Sequence, residues 1–158
     1  MIFITVGSQK FQFNRLLEQI DLLIEKGSIK EDVFAQVGAS DYKPKHYDYK
    51  DFITQDEFKE YMSKCNFVIT HAGTGAIITA LKSDKKVIAI PRLAKYGEHV
   101  DDHQIQLIDE FKELNFIEPV YEIEQLENAI KYIENKKYNK YVSNTDTIIK
   151  DIEKFIEE

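Results

Sequence analysis

The chain has 158 residues, 43% of them hydrophobic and 31% charged, with 21 Lys and Arg against 28 Asp and Glu. That length suits one domain of roughly 100–200 residues with its own core, and the apolar content excludes a disordered chain. A formal charge of −7 argues against nucleic-acid binding, which needs a basic face, but allows a phosphate-bearing small molecule held locally at a helix start.

A single cysteine, Cys65, excludes an internal disulfide and a Cys-based zinc cluster. No run approaches the ~20 apolar residues needed to cross a bilayer. Met1 to Gly7 lacks the charged region and cleavage site of a signal peptide. The expectation is a cytoplasmic protein whose domain starts at its first strand.

Ile2 to Val6 is a β-branched and aromatic run stopped by Gly7-Ser8, which reads as a buried strand. A helix follows from about Asn14, with Leu16, Leu17, Ile20, Leu23 and Ile24 on one face and Gly27 past its end. Val33 to Val37 is the next strand, residues 39–50 are a polar loop, and Asp51-Phe52-Ile53 is a brief third strand. Thr54 with Glu57 is a capping box opening a helix with Phe58, Tyr61 and Met62 inward. Asn66 to Thr70 is a strand running into His71-Ala72-Gly73-Thr74-Gly75, followed by a helix over Ala76 to Leu81.

Lys86 to Ile90 is another strand, closed by Pro91. Residues 92–103 are polar and too long for an idle connection in a compact domain. A helix resumes near Val100 or Asp101, through Leu107, Ile108, Phe111 and Leu114. Phe116 to Val120 is a last strand and Ile123 to Asn135 a helix. A terminal helix of about 144–157, capped by Ser143 or Asn144, would dock on this domain or on a partner. Strands alternating with helices imply right-handed crossovers and a parallel sheet. The expected architecture is one Rossmann-like α/β domain over residues 1–158, with five or six strands, helices on both faces and order 3-2-1-4-5-6.

That order would bring two glycine signals together at the switch point, outside the carboxyl ends of strands one and four. Gly7-Ser8-Gln9 closes the first strand. The run His71 to Gly75 leads a strand into a helix, placing free N–H groups and the positive dipole end on the crevice. Glycine lets a backbone approach a phosphate closely; Thr74 adds a hydroxyl, and His71 can donate a hydrogen bond or carry charge. There is no GxGxxG after the first strand and no GxxxxGKS, which disfavours dinucleotide and P-loop readings.

A third element, Gly97 to Gln104, packs Glu98, Asp101, Asp102, His99, His103 and Gln104 into eight residues. Carboxylates and amides over the crevice suit sugar hydroxyls, which both donate and accept. His99, Asp102 and His103 also leave open a divalent-metal site, although the two-histidine spacing is weak alone. Arg92, Lys95 and Tyr96 would steady a diphosphate or merely solvate the loop.

These residues resemble a known family. Phe3 to Ser8, Thr70 to Gly75, and Pro91-Arg92 followed by Gly97 to Gln104 look like the C-terminal, donor-binding half of family 28 glycosyltransferases, of GT-B fold. The likeness is greatest to short catalytic subunits of split enzymes, and the stretch from Arg92 to Gln104 looks most like the bacterial capsule and exopolysaccharide branch. The resemblance implies a UDP-sugar donor bound without an obligatory metal or other cofactor, and inverting transfer to a lipid-linked saccharide acceptor. It implies that Gly7, Ser8, His71, Gly73, Thr74 and Gly75 hold the diphosphate. Asp102, His103 and Gln104 match the sugar-contacting positions, with Glu98 a further ribose candidate and Arg92 a possible phosphate contact.

A membrane-associated partner subunit would supply the acceptor side and the general base, holding this chain at the inner face of the membrane. On the family's two-lobed plan only the donor lobe fits this length, so the chain alone should be nearly inactive. Two positions depart from the family pattern: Ala76 stands where a serine is usual, and Thr79 where a glutamate usually grips the ribose. Losing that charged acceptor would cost roughly 1.5–3 kcal/mol. Either Glu98 substitutes for it, or nucleotide affinity is lower, or the chain is a non-catalytic nucleotide-binding or regulatory module.

Overall fold

The protein is described by a computed structural model covering residues 1–141. Six parallel strands form one sheet: β1 (Ile2–Thr5), β2 (Val33–Gln36), β3 (Asp48–Lys50), β4 (Phe67–His71), β5 (Lys86–Ile90) and β6 (Glu118–Pro119). Their order is β3-β2-β1-β4-β5-β6, as the alternating pattern predicts. β1 pairs with β4 in the register Ile2 opposite Phe67 and Thr5 opposite Thr70, so both chains leave the sheet side by side.

Among the described residues five α-helices accompany the sheet: α1 (Asn14–Lys26), α2 (Gln55–Lys64), α3 (Thr74–Lys82), α4 (His103–Glu113) and α5 (Leu126–Tyr132). Successive strand residues point to opposite faces. Ile2 and Ile4 pack with Leu16, Leu17 and Ile20 of α1 and Leu126 and Ile130 of α5. Phe3, between them, packs with Met62 of α2, Ile77 and Leu81 of α3, and Ile108 and Phe111 of α4. Both sheet faces are therefore covered, which explains why the central strands read as unbroken apolar runs.

The local signals act as expected where they are strong. Gly27 takes a left-handed conformation (φ 88°) and ends α1, with its N–H and that of Ser28 returning to Ile24 and Leu23 carbonyls. Thr54 and Glu57 form both bonds of the capping box at α2. Cys65 is buried, and burial pushes its thiol pKa up, as suits a small packed hydrophobe.

Differences from the sequence reading fall where hydrophobic period is weak. The third strand is Asp48–Lys50, inside the expected loop, and not Asp51 to Ile53. All three of its residues are exposed, so only backbone pairing with Phe34 to Gln36 defines it. The sixth strand shrinks to Glu118–Pro119 because Pro119 cannot donate to the ladder, although Phe116, Ile117 and Val120 are buried. The helix expected over Ile123 to Asn135 has 3-10 turns at Ile123–Gln125 and Ile133–Asn135 flanking α5. α3 begins two residues earlier than expected and α4 two or three residues later. The expected terminal helix of about 144–157 lies outside the described residues. No described helix is long and apolar enough to cross a membrane.

Candidate functional site

The crevice opens where β1 and β4 diverge into their loops. Gly7 has φ of 79°, a turn only glycine makes without strain, and Ser8 after it is exposed. Across the switch point Gly73 is the N-cap of α3, with no side-chain capping bond and no acid in the first turn. The first intrahelical bond runs from Ile77 N–H to Gly73 carbonyl, which leaves the N–H groups of Thr74, Gly75 and Ala76 outside the helical ladder. Together with the helix dipole, these form a local positive end in an acidic protein.

His71, the last residue of β4, is the hinge between the two loops. A Cβ on Gly7 would lie 2.7 Å from His71 Nε2, and one on Gly73 would lie 2.2 Å from Cε1 and 2.5 Å from Nε2. The imidazole therefore fills the space that two missing side chains leave. His71 is 7% exposed and its Nδ1 is buried without a hydrogen-bond partner. Burial, helped by the positive charges of Arg92 and His99, pushes its pKa down to about 3. A pKa that low leaves His71 neutral at physiological pH, so of the two expectations for it the charged one does not fit its burial.

The titration has a measurable sign. Between pH 6.5 and about 3 the unfolded chain binds a proton that the folded one refuses. The contribution of His71 to stability is thus intact above pH 6.5 and falls by about 1.4 kcal/mol per pH unit below it. Urea unfolding of His71→Asn should show a shallower loss between pH 6.5 and 4 than the parent chain. Equal slopes would mean that the folded imidazole takes up the proton.

Two residues expected to face a ligand are committed elsewhere. Glu98 is 1% exposed; its Oε2 accepts from Arg15 Nε and its Oε1 from Arg15 Nη2 and Leu93 N–H, each at 3.0 Å. It fastens the segment after β5 to α1, so the carboxylate expected at the ribose is bonded within the protein. Arg92 is fully buried (0% exposed), not spread over the surface to meet a diphosphate from solvent. Its Nη2 donates to the carbonyls of Val6 and Phe11, and the guanidinium lies 5.5 Å from the centre of the Phe13 ring. Burial lowers its pKa to about 10 while the charge of Glu98 opposes that shift, so it remains a cation.

The segment before α4 is held by its own polar groups. Asp102 accepts from Ala94 N–H at 2.9 Å, Gln104 Oε1 accepts from Arg92 N–H at 2.9 Å, and Asp101 accepts from His103 N–H at 3.0 Å. That last bond lowers the Asp101 pKa just before α4 begins at His103. Asp102 and His103 are exposed, whereas His99 stacks near Phe11 with ring centres 5.1 Å apart. His99 precedes the helix, so the two histidines do not share a helical i, i+4 face. Among the described residues no group of three or more His, Cys, Asp or Glu side chains is placed to hold a metal ion.

Sequence reasoning missed Arg15 and Asp21. Arg15 is 83 positions from Glu98, so no local spacing links the two. Asp21, 4% exposed, accepts from Tyr42 Oη and from the Lys45 and His46 N–H groups, tying the segment before β3 to α1. A charged residue on the apolar face of a predicted helix was the available signal. A pocket beside Gln12, Arg15, Glu18, Leu22 and Tyr96 lies over α1 and includes none of the glycine-loop residues.

A parallel sheet with a glycine turn, a buried histidine and an uncapped helix start at its switch point defines a Rossmann-like domain with a crevice between the loops after β1 and β4. Residues 1–158 match the glycosyltransferase family 28 C-terminal domain, and the chain belongs to that family. It is 26% identical over 143 residues to the UDP-N-acetylglucosamine transferase subunit ALG13 of Candida albicans, covering 87% of this chain and 47% of that protein. The chain thus spans about half the length of this curated relative. The glycosyltransferase SnogD from Streptomyces nogalater superposes with a TM-score of 0.58 at 16% identity, over 99% of this chain and 39% of that one. That likeness is one of fold: the six-stranded α/β domain is similar to part of a GT-B glycosyltransferase structure.

Proposed function

We propose that this chain is the donor-binding, catalytic subunit of an inverting glycosyltransferase that moves a sugar from a UDP-sugar to a lipid-linked saccharide acceptor. The observation that carries this reading is the meeting of Gly7, His71 and the uncapped start of α3 at one point of the crevice. The N–H groups of Thr74, Gly75 and Ala76 bind the diphosphate, and His71 donates from Nε2 as the neutral tautomer. Ser8 borders the reacting centre from the β1 side, and Asp102, His103 and Gln104 face the sugar. As the acceptor oxygen bonds to the anomeric carbon, the bond from that carbon to the diphosphate breaks and its electron pair leaves with UDP. The helix start and His71 stabilise the charge that develops there.

The proton of the acceptor hydroxyl passes to a general base on a membrane-associated partner subunit. The relative's description as a transferase subunit supports a second component. Through that partner the chain works in the cytoplasm, peripheral to the inner face of the membrane. Since backbone N–H groups meet the diphosphate charge, the proposal includes no obligatory metal. The run Arg92 to Gln104 favours capsule or exopolysaccharide synthesis as the setting.

One observation favours a second reading, a non-catalytic nucleotide-binding or regulatory module. Thr79 replaces the expected glutamate and its hydroxyl donates to the Gly75 carbonyl at 2.8 Å. Glu98, the substitute carboxylate, is already paired with Arg15. Two measurements separate the readings. UDP at a hundredfold excess over its Kd should stabilise the chain by about 2.7 kcal/mol, seen as a rise in Tm. Co-expression with a membrane-anchored companion should then yield transfer from one of a panel of UDP-sugars. No thermal shift at millimolar UDP overturns the donor site; binding without transfer favours the regulatory module.

A further inference from the structure

Arg92 is the most deeply buried charge in the described chain, and no reaction step proposed above uses it. It follows β5, yet its Nη2 reaches the carbonyl of Val6, at the end of β1. In the strand order β1-β4-β5 its side chain must therefore pass across the end of β4, beneath the crevice. Its other tether, the Phe11 carbonyl at 3.3 Å, lies at the far end of the loop that begins with Gly7. Its own N–H is held by Gln104, the second residue of α4. One side chain thus joins the loops after β1 and β5, with His71 of β4 near enough to feel its charge.

The guanidinium is also incompletely satisfied. Nε and Nη1 are buried and have no hydrogen-bond partner, and no described carboxylate forms an ion pair with it. The nearest acid, Glu98, is spent on Arg15. A buried cation without a paired anion is costly unless another charge completes it. Lys would keep the charge but not the tether, because both carbonyls are held by Nη2, which stands one bond further from Cα than a lysine Nζ.

We propose that Arg92 is a positioning residue of the donor site, clamping the Gly7–Phe11 loop to the segment after β5 and setting an unpaired positive charge behind the diphosphate cradle. This rests on the donor-site reading above and adds to it a charge that never touches solvent. Because the charge acts on phosphate and not on the base or ribose, it should discriminate between ligands that differ only in phosphate.

Calorimetric titration of the full chain with UDP and with uridine tests this. In Arg92→Met, UDP affinity should fall roughly tenfold to thirtyfold while uridine affinity changes less than about threefold, the size expected for one screened charge. Arg92→Lys keeps the charge and loses a tether, so UDP affinity should return to within about fivefold of the parent. Hydrogen exchange of the residue 7–11 amides should be faster than in the parent in both variants, since each loses the tether to Phe11. If Arg92→Met does not fold, the Lys variant decides, by fast exchange with UDP affinity near the parent value. UDP and uridine falling by the same factor, or UDP affinity unchanged in Arg92→Met, overturns the proposal. Failure of the parent chain to bind UDP instead overturns the donor site on which it rests.

Discussion

Glu98→Ala is expected to destabilise the chain by about 3 kcal/mol, the low end for breaking a buried ion pair from one side. The change leaves Arg15 without the carboxylate that both its Nε and Nη2 contact, and Leu93 N–H without an acceptor. Arg15 is partly solvated, at 16% side-chain exposure against 1% for Glu98, which keeps the loss from being larger. For a domain of this size the Tm should drop by roughly 6–12 °C in a calorimetric scan. A ribose-contacting Glu98 would behave in the opposite way, losing nucleotide affinity at unchanged Tm. The double replacement Arg15→Met with Glu98→Leu should recover part of the stability, since an apolar pair of similar volume removes both the charge and its desolvation cost. A Glu98→Ala chain that melts with the parent would show the pair to be a surface contact only.

Gly73→Ala should abolish most UDP binding. Its Cβ would stand 2.2 Å from His71 Cε1, 2.5 Å from Nε2 and 3.1 Å from Nδ1. The ring has no easy escape, being 7% exposed. Either His71 or the start of α3 must shift, at a cost of about 1–3 kcal/mol for overpacking. Both are parts of the proposed cradle, so UDP affinity should fall at least about tenfold. Gly75→Ala provides the contrast: nothing lies within 4 Å of the Cβ it would add, and its φ is ordinary. Alanine inside a helix should leave Tm equal or slightly higher. If a phosphate approaches the helix start there, UDP affinity drops in Gly75→Ala while stability does not. Unchanged UDP affinity in both variants would move the ligand away from α3.

The same comparison shows which site residues were legible. His71, Gly73, Thr74 and Gly75 fall within five consecutive residues where an apolar strand gives way to a helix, so local pattern alone marks that junction. Gly7 was visible for the same reason, at the end of the first strand. The residues after β5 were visible as a group but not as individuals. Glu98, Asp101, Asp102 and His103 look equivalent in a polar run; a partner 83 positions away makes Glu98 a buried anchor, while the others keep local bonds or stay exposed. Thr79 stands in the sequence only as a departure from the expected glutamate; its bond to the Gly75 carbonyl needs the backbone of its own helix.

Sequence alone determined the layered α/β fold, the strand order and the position of the crevice. Apolar runs, glycine stops and the handedness of β-α-β crossovers are local or topological rules that need no knowledge of contacts. It also placed the strong caps, at Gly27 and at Thr54 with Glu57. Tertiary structure decided the charge states and allegiances of the polar residues. His71 is neutral because packing against two glycine loops removes water, and Glu98 is an anchor because Arg15 happens to face it across the fold. Arg92 is a buried clamp because the end of β1 lies two strands away from β5. Desolvation and pairing depend on distances between segments far apart in the chain, and those distances exist only once the sheet has formed.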